Sequence, residues 1–431
     1  MRYLRPRVAR TSIAFAAALT CAVAACAGRS LSPPVSNVTP SVADVCTGQT
    51  PPPSPAPTAS SQRPRTGAMK TPIHGLIDLG QVIADDMPEP PSNTLYYVCR
   101  RQTAMSGIVV NDTWEHMQPT DGATIDMSSI DAALTAIAAY NGKPGRHLGV
   151  RLRIWAGIDA PLWAKKIGGP PIQICEQNAV PCPSTSIRTV GRFWANAYET
   201  AWRTFVSELA KAYDADSRVS EFSLSSCSSL TAEPFVQPED PYSRAHLIAA
   251  HYSDAKYRAC LLNAVKNDYV PYWHQTPVDF SFNPFREIDA RPATDLAFTK
   301  AAIDECRTVA GSRCILLNET MAKFTPPPAP NPSQTPSIAR SYYEMWNYMQ
   351  RQGGSITFQT SAPVKLLAAW QTNRGGWNAA VRLAGHFGAS SLELFAPKYG
   401  DPCYDEPSQP WTGGYTCFSP SVLAGWSGEL H

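Results

Sequence analysis

The feature that most constrains this chain is a recurring alternation of short apolar runs with longer amphipathic segments. The runs are "GLIDLG" (75–80), "SGIVVNDTW" (106–114), "LGVRLRIWAG" (148–157), "VSEFSLSS" (219–226), "VDFSFNPF" (278–285), "CILLNET" (314–320), "SITFQT" (355–360) and "SSLELFAP" (390–397). Each has the length of a strand buried on both faces. Helical spacing of apolar residues predicts helices over 127–141, 190–214, 243–267, 293–311, 337–353 and 377–388. Eight strands separated by helices predict a (β/α)8 TIM barrel over residues 67–431. An open doubly wound sheet would show a glycine-rich phosphate turn after an early strand. The nearest stretch, "GGPP" (168–171), runs into proline instead.

In such a barrel, chemistry gathers at the C-terminal ends of the strands. The residues there are Asn111, Asp112, Trp114, Glu115 and His116 after the second strand, and Arg151, Arg153, Trp155, Asp159 and Trp163 on and after the third. Glu233 follows the fourth, Asn283, Arg286 and Glu287 the fifth, and Asn318 and Glu319 the sixth. Gln359 ends the seventh and Glu393 lies on the eighth. Carboxylates move protons, amides and Arg bind hydroxyls, and aromatic rings stack on sugar faces, so this rim predicts a carbohydrate site. The substrate-binding candidates are Trp114, His116, Arg153, Trp155, Trp163, Asn318, Gln359 and Glu393. A net charge of +2 with no basic stripe argues against nucleic acid as a partner. No Cys/His cluster suggests a metal, no cofactor is implied, and no Gly-x-Ser-x-Gly elbow points to an esterase.

Three segments carry a family resemblance: "WEHMQPTDG" (114–122), "IDMSSID" (125–131) and "GVRLRIWAGIDAPLW" (149–163). Together they resemble the early part of clan-A (β/α)8-barrel glycoside hydrolases, the β-galactosidase-like and cellulase-like members. The resemblance implies hydrolysis of an O-glycosidic bond by two carboxylates. It places the acid/base at Glu233, in Glu233-Pro234, although Ala232 stands where that clan has an Asn. The clan's nucleophile position, at the end of the seventh strand, falls on Gln359. Three accounts stay open. The strand numbering could be off by one, Glu319 or Glu393 on a neighbouring strand could act, or the barrel could bind carbohydrate without cleaving it. Glu319 is the preferred second carboxylate. On this reading Glu233 has a raised pKa and protonates the leaving oxygen, while Arg153 keeps Glu319 ionised.

The start of the chain indicates export. "MRYLRPRVARTS" carries Arg2, Arg5, Arg7 and Arg10, and the apolar "IAFAAALTCAVAA" follows. Val23-Ala24-Ala25-Cys26 resembles a bacterial lipobox. The resemblance implies a signal peptide over 1–25, lipidation at Cys26 and a lipid anchor in the cell envelope; the alternative is a plain signal peptide with an incidental Cys and a secreted protein. Residues 26–66 are dominated by Pro, Ser, Thr and Ala and cannot build a core, so they read as a linker. Of twelve Cys, removing Cys21 and Cys26 leaves an even set, as a disulfide framework requires. Closeness in sequence suggests the pairs Cys175/Cys182, Cys306/Cys314 and Cys403/Cys417.

Overall fold

The computed structural model describes residues 67–79, 105–142, 144–176, 179–289, 293–322, 338–361, 366, 376–394, 410–411, 415–416 and 420–430. Eight parallel strands close into a barrel: β1 Gly75–Asp78, β2 Met105–Thr113, β3 Gly149–Trp155, β4 Glu221–Ser223, β5 Val278–Ser281, β6 Cys314–Met321, β7 Ile356–Thr360 and β8 Ser391–Leu394. Neighbours in sequence are neighbours in the barrel, and β8 closes on β1 through Gly75↔Ser391 to Asp78↔Leu394. All eight predicted strands are present and in order. Gln359 therefore stands on the seventh strand, which removes the off-by-one account of its position.

Alternation along each strand sorts its side chains into two environments. One set (Leu76, Ile108, Val150, Leu152, Phe222, Phe280, Leu316, Phe358, Leu392) is buried in the main core with helix residues. That core takes in Ile137 of α1 (Ser128–Asn141), Trp202 and Phe205 of α2 (Asn196–Tyr213), and Leu247 of α3 (Pro241–Ala249). It also takes in Tyr257 of α4 (Asp254–Ala264), Ile303 of α5 (Leu296–Ala310), Trp346 of α6 (Ile338–Gln352) and Val381 of α7 (Trp377–His386). The other set occupies the barrel lumen, and much of it is charged. Arg151 donates to Glu221 (Nε–Oε2 2.7 Å), lies 3.1 Å from Asp279 Oδ2 and bonds Glu393. Arg153 donates to the two oxygens of Glu393 at 2.6 and 3.1 Å. Ser223 Oγ donates to Asp279 at 2.7 Å, and the Ile73 N–H donates to Glu221 at 2.6 Å. Ile73, Ile77 and Val109 form a separate small apolar cluster.

Three helix boundaries differ from expectation, each for a local reason. Residues 187–190 are β-branched except for Arg188 and pair as a strand with Ile172–Cys175, so the predicted 190–214 helix begins only at Asn196. The 243–267 segment breaks at His251, whose φ is +64°, and restarts behind Ser253, which caps α4 by accepting from the Lys256 N–H. Ala293–Asp295 pairs with Phe285–Glu287, and Asp295 caps α5 by accepting from the Phe298 N–H. Disulfides join Cys175–Cys182 and Cys306–Cys314 as expected. A third, Cys227–Cys260, ties the segment after β4 to α4 across 33 residues, a separation that gives no hint in sequence. The suggested Cys403/Cys417 pair, Cys26 and the 26–66 linker lie outside the described residues. Among the described residues no helix is long and apolar enough to cross a membrane.

Arg151 is fully buried and compensates three acids at once. Arg151→Met should therefore destabilise the fold by about 3–5 kcal/mol, because it strands buried carboxylates without a partner. Denaturant unfolding of the variant measures this. A loss below about 1 kcal/mol would mean that the lumen acids do not depend on the arginine.

Candidate functional site

The site sits where β3, β6, β7 and β8 bring Arg153, Glu319, Gln359 and Glu393 to the barrel interior, under the segment that carries Glu233. Glu319 lies two residues beyond Leu317, whose register partners are Ser281 on β5 and Thr357 on β7. The β6–β7 register then slips between Asn318 and Met321. Such an irregularity beside a site re-aims a side chain. Here Asn318 turns outward while Glu319 occupies the mouth. The Glu319 side chain is 8% exposed and its Oε1 lies 3.8 Å from Arg153 Nη2. Arg153 Nη1 reaches Gln359 Oε1 at 3.5 Å.

Glu233 is half-buried on the segment 224–237, which is fastened at many points. The Cys227–Cys260 disulfide holds its start. Trp202 Nε1 donates to Ser226 Oγ, the Ile158 N–H donates to the Ser229 carbonyl, and Ser229 Oγ donates to the Val236 carbonyl. Pro234 restrains Glu233 to extended backbone, and Thr231 Oγ1 accepts from the Glu233 N–H at 3.1 Å. Phe235 adopts φ +71°, a left-handed conformation that costs a non-glycine residue energy. Its N–H donates to Tyr257 Oη and its ring packs among Phe280, Phe282, Phe285 and Phe298, which offsets that cost.

The two interior glutamates have opposite electrostatics. Burial pushes the Glu319 carboxyl well above the usual carboxylate range. Arg153 opposes this without overcoming it, and the nearby charges of Glu233, Glu393 and Asp279 push the same way as burial. Glu393 is just as buried, yet Arg153 and Arg151 together outweigh the desolvation and hold it below the ordinary value. The expectation that Arg153 keeps Glu319 ionised is thus corrected. Arg153 spends its short contacts on Glu393, at 2.6 Å, and meets Glu319 only at 3.8 Å.

The other predicted residues are dispersed. Trp114 is 0% exposed, edge-on to Trp163, Tyr198 and Trp202, so its reading as a stacking platform gives way to a core role. Asn318 is also 0% exposed. Its amide donates to the Phe282 carbonyl and Asn283, and its carbonyl accepts from Trp346 Nε1, so it ties β6 to α6 rather than facing a ligand. Glu393 is the counter-ion of both arginines and has no exposed surface. Trp155 ends β3 partly exposed, with Nε1 donating to Asn111 Oδ1 at 3.0 Å. Trp163 is partly exposed and donates to the Gln118 carbonyl. His116, with 46% of its side chain exposed, pairs through Nδ1 with Asp112 at 2.9 Å. Glu221 and Asp279 were missed. The available signal was an acid next to a buried Phe inside a strand, in "SEFS" and "VDFS", where alternation turns it into the lumen. Among the described residues no group of three or more His, Cys, Asp or Glu could hold a metal ion.

No known family profile matches the chain, and no curated protein sequence matches it. Solved structures do resemble it. One is a glycoside hydrolase with 11% identity, covering 84% of this chain and 100% of its own, at a TM-score of 0.44. The catalytic domain of β-amylase from Paenibacillus polymyxa has 9% identity, covering 75% and 93%, at 0.45. An endo-β-1,4-glucanase from Xanthomonas axonopodis pv. citri has 11% identity, covering 83% and 98%, at 0.45. These neighbours are glycoside hydrolases built on the TIM barrel, and the barrel of this chain stands on its own strand register.

A carboxyl whose pKa is raised on folding costs no stability while protonated in both states, and destabilises the fold as pH rises through the raised value. Glu319→Gln should therefore leave the melting temperature unchanged near pH 4 and raise it by on the order of 2 °C or more near pH 8. Thermal unfolding of the two proteins across that range checks the sign. Equal melting temperatures at both ends would mean that Glu319 bears no desolvation penalty.

Proposed function

We propose that the protein is a glycoside hydrolase that cleaves an O-glycosidic bond in an oligo- or polysaccharide with Glu319 and Glu233. The observation that carries this reading is Glu319, a carboxyl in the mouth of a barrel whose pKa burial raises well above the usual carboxylate range, with a second, half-buried carboxyl close enough to push it the same way. Two carboxyls whose environments push their protonation apart can divide acid and base roles. Glu319 donates its proton to the glycosidic oxygen, and the C–O electron pair leaves on that oxygen. Water adds to the anomeric carbon with Glu233 as the carboxylate, either taking the water's proton directly or first forming a glycosyl ester that water then cleaves, so the broken C–O bond is replaced by a C–OH bond. The roles expected from sequence are thus exchanged, and the reason is burial of Glu319. Trp155 offers a partly exposed ring at the end of β3, and Arg153 and Gln359 complete the polar floor.

A second reading, a carbohydrate-binding barrel without turnover, is favoured by Gln359 and Ala232, which stand where the resembling clan has its nucleophile and its amide. The two readings separate on Glu319→Gln and Glu233→Gln assayed against a broad glycan panel. On the hydrolase reading each variant loses about 10²–10⁴-fold in kcat while retaining glycan binding. Activity of the unmodified protein falls as pH rises through the raised pKa of Glu319. Binding without turnover by the unmodified protein favours the second reading.

We also propose a lipid anchor at Cys26 that tethers the barrel to the bacterial cell envelope through the 26–66 linker. Cys26→Ser should move the protein from the membrane fraction to the soluble fraction and abolish labelling by a fatty-acid analogue. Retained labelling would refute the assignment.

A further inference from the structure

The mouth of the barrel contains buried hydroxyls that no protein atom satisfies. Ser281 ends β5 and Ser361 directly follows β7, the two strands that flank Glu319 on β6. Asp279 meets Arg151 in the lumen, so Ser281, two residues on, shares that inner face. Gln359 meets Arg153, and Ser361 stands two residues beyond it, its N–H continuing the ladder to the Met321 carbonyl at 3.0 Å. Ser281 and Ser361 are 3% and 2% exposed, and neither Oγ has a hydrogen-bond partner. Nor does the buried Nε of Arg153. Buried polar groups are nearly always paired, so unpaired ones on the two strands either side of Glu319 point to a ligand that brings their partners.

We propose that Ser281 and Ser361 bind hydroxyl groups of the sugar ring held against Glu319, and so select hydroxylated over deoxy substrates. The inference rests on the glycosidase reading and adds which residues position the ring. A serine hydroxyl both donates and accepts, as a sugar hydroxyl does. A site built to bond a hydroxyl discriminates strongly against the analogue lacking it, because its own polar groups are then left unpaired.

The test pairs protein variants with substrate variants. The p-nitrophenyl gluco-, galacto-, manno- and xylosides are assayed with the unmodified protein, and the best-cleaved one is compared with its monodeoxy analogues. Ser281→Ala and Ser361→Ala should each lower kcat/KM on the parent glycoside by roughly ten-fold. Each should cause no further loss on the one analogue that lacks the hydroxyl it binds. Ser281→Cys and Ser361→Cys, which fill the same space with a weak donor, provide a second pair if an alanine variant loses its structure. An equal loss on the parent and every deoxy analogue, or no loss at all, overturns the inference while the glycosidase reading stands. Failure of the unmodified protein to cleave or bind any glycoside overturns both.

Discussion

Two arginines inside the barrel, Arg151 and Arg153, set the terms for everything in its lumen. Both are fully buried, and both would be prohibitively costly there without partners. The partners are Glu221 on β4, Asp279 on β5 and Glu393 on β8, so the ion pairs cross-link strands on opposite sides of the barrel. Most barrels of this kind fill the lumen with branched apolar side chains. Here Ile73, Ile77 and Val109, with Ile315 and Leu317 of β6, share the lumen with this charge.

The same network explains the state of Glu319. Three acids already engage the two guanidinium groups when Glu319 enters as a fourth. It finds Arg153 committed to Glu393 and lies farther from it than Glu393 does. Burial then decides the balance and raises the Glu319 pKa. The raised pKa follows from too few cations shared among too many carboxyls. The segment after β4 adds a further acid. Its disulfide, its serine hydrogen bonds and the aromatic packing of Phe235 hold Glu233 in place near Glu319.

The fold was legible because short apolar runs recur between helical segments, and in several strands alternation survives: "VRLRIW", "SLEL" and "VDFS" each read as apolar outside and polar inside. Helix starts were less legible where short hairpins precede them, as at Ile187–Val190, since a few β-branched residues leave little periodicity to detect. Glu319 and Glu233 could be singled out because one stands near the end of a strand and the other follows one. Their protonation could not be, because it depends on which acids compete for Arg153, and that competition exists only once β6 and β8 share one lumen. The same limit applies to Trp114 and Asn318. Both stand at strand ends in sequence, yet each is drawn outward into packing with helices, Trp114 against Trp202 and Asn318 against Trp346. Glu221 and Asp279 carried a usable signal, an acid within an apolar strand, whose meaning appears only when the strand is read as barrel lining.

The most direct measurement of the central claim is a carbon-13 NMR titration of glutamate side-chain carboxyls, with the Glu319 resonance assigned by its loss in Glu319→Gln. The account predicts that this carboxyl stays protonated well above the ordinary value of about 4.3, while Glu393 stays ionised below it. A Glu319 resonance that titrates with the surface glutamates would contradict the account.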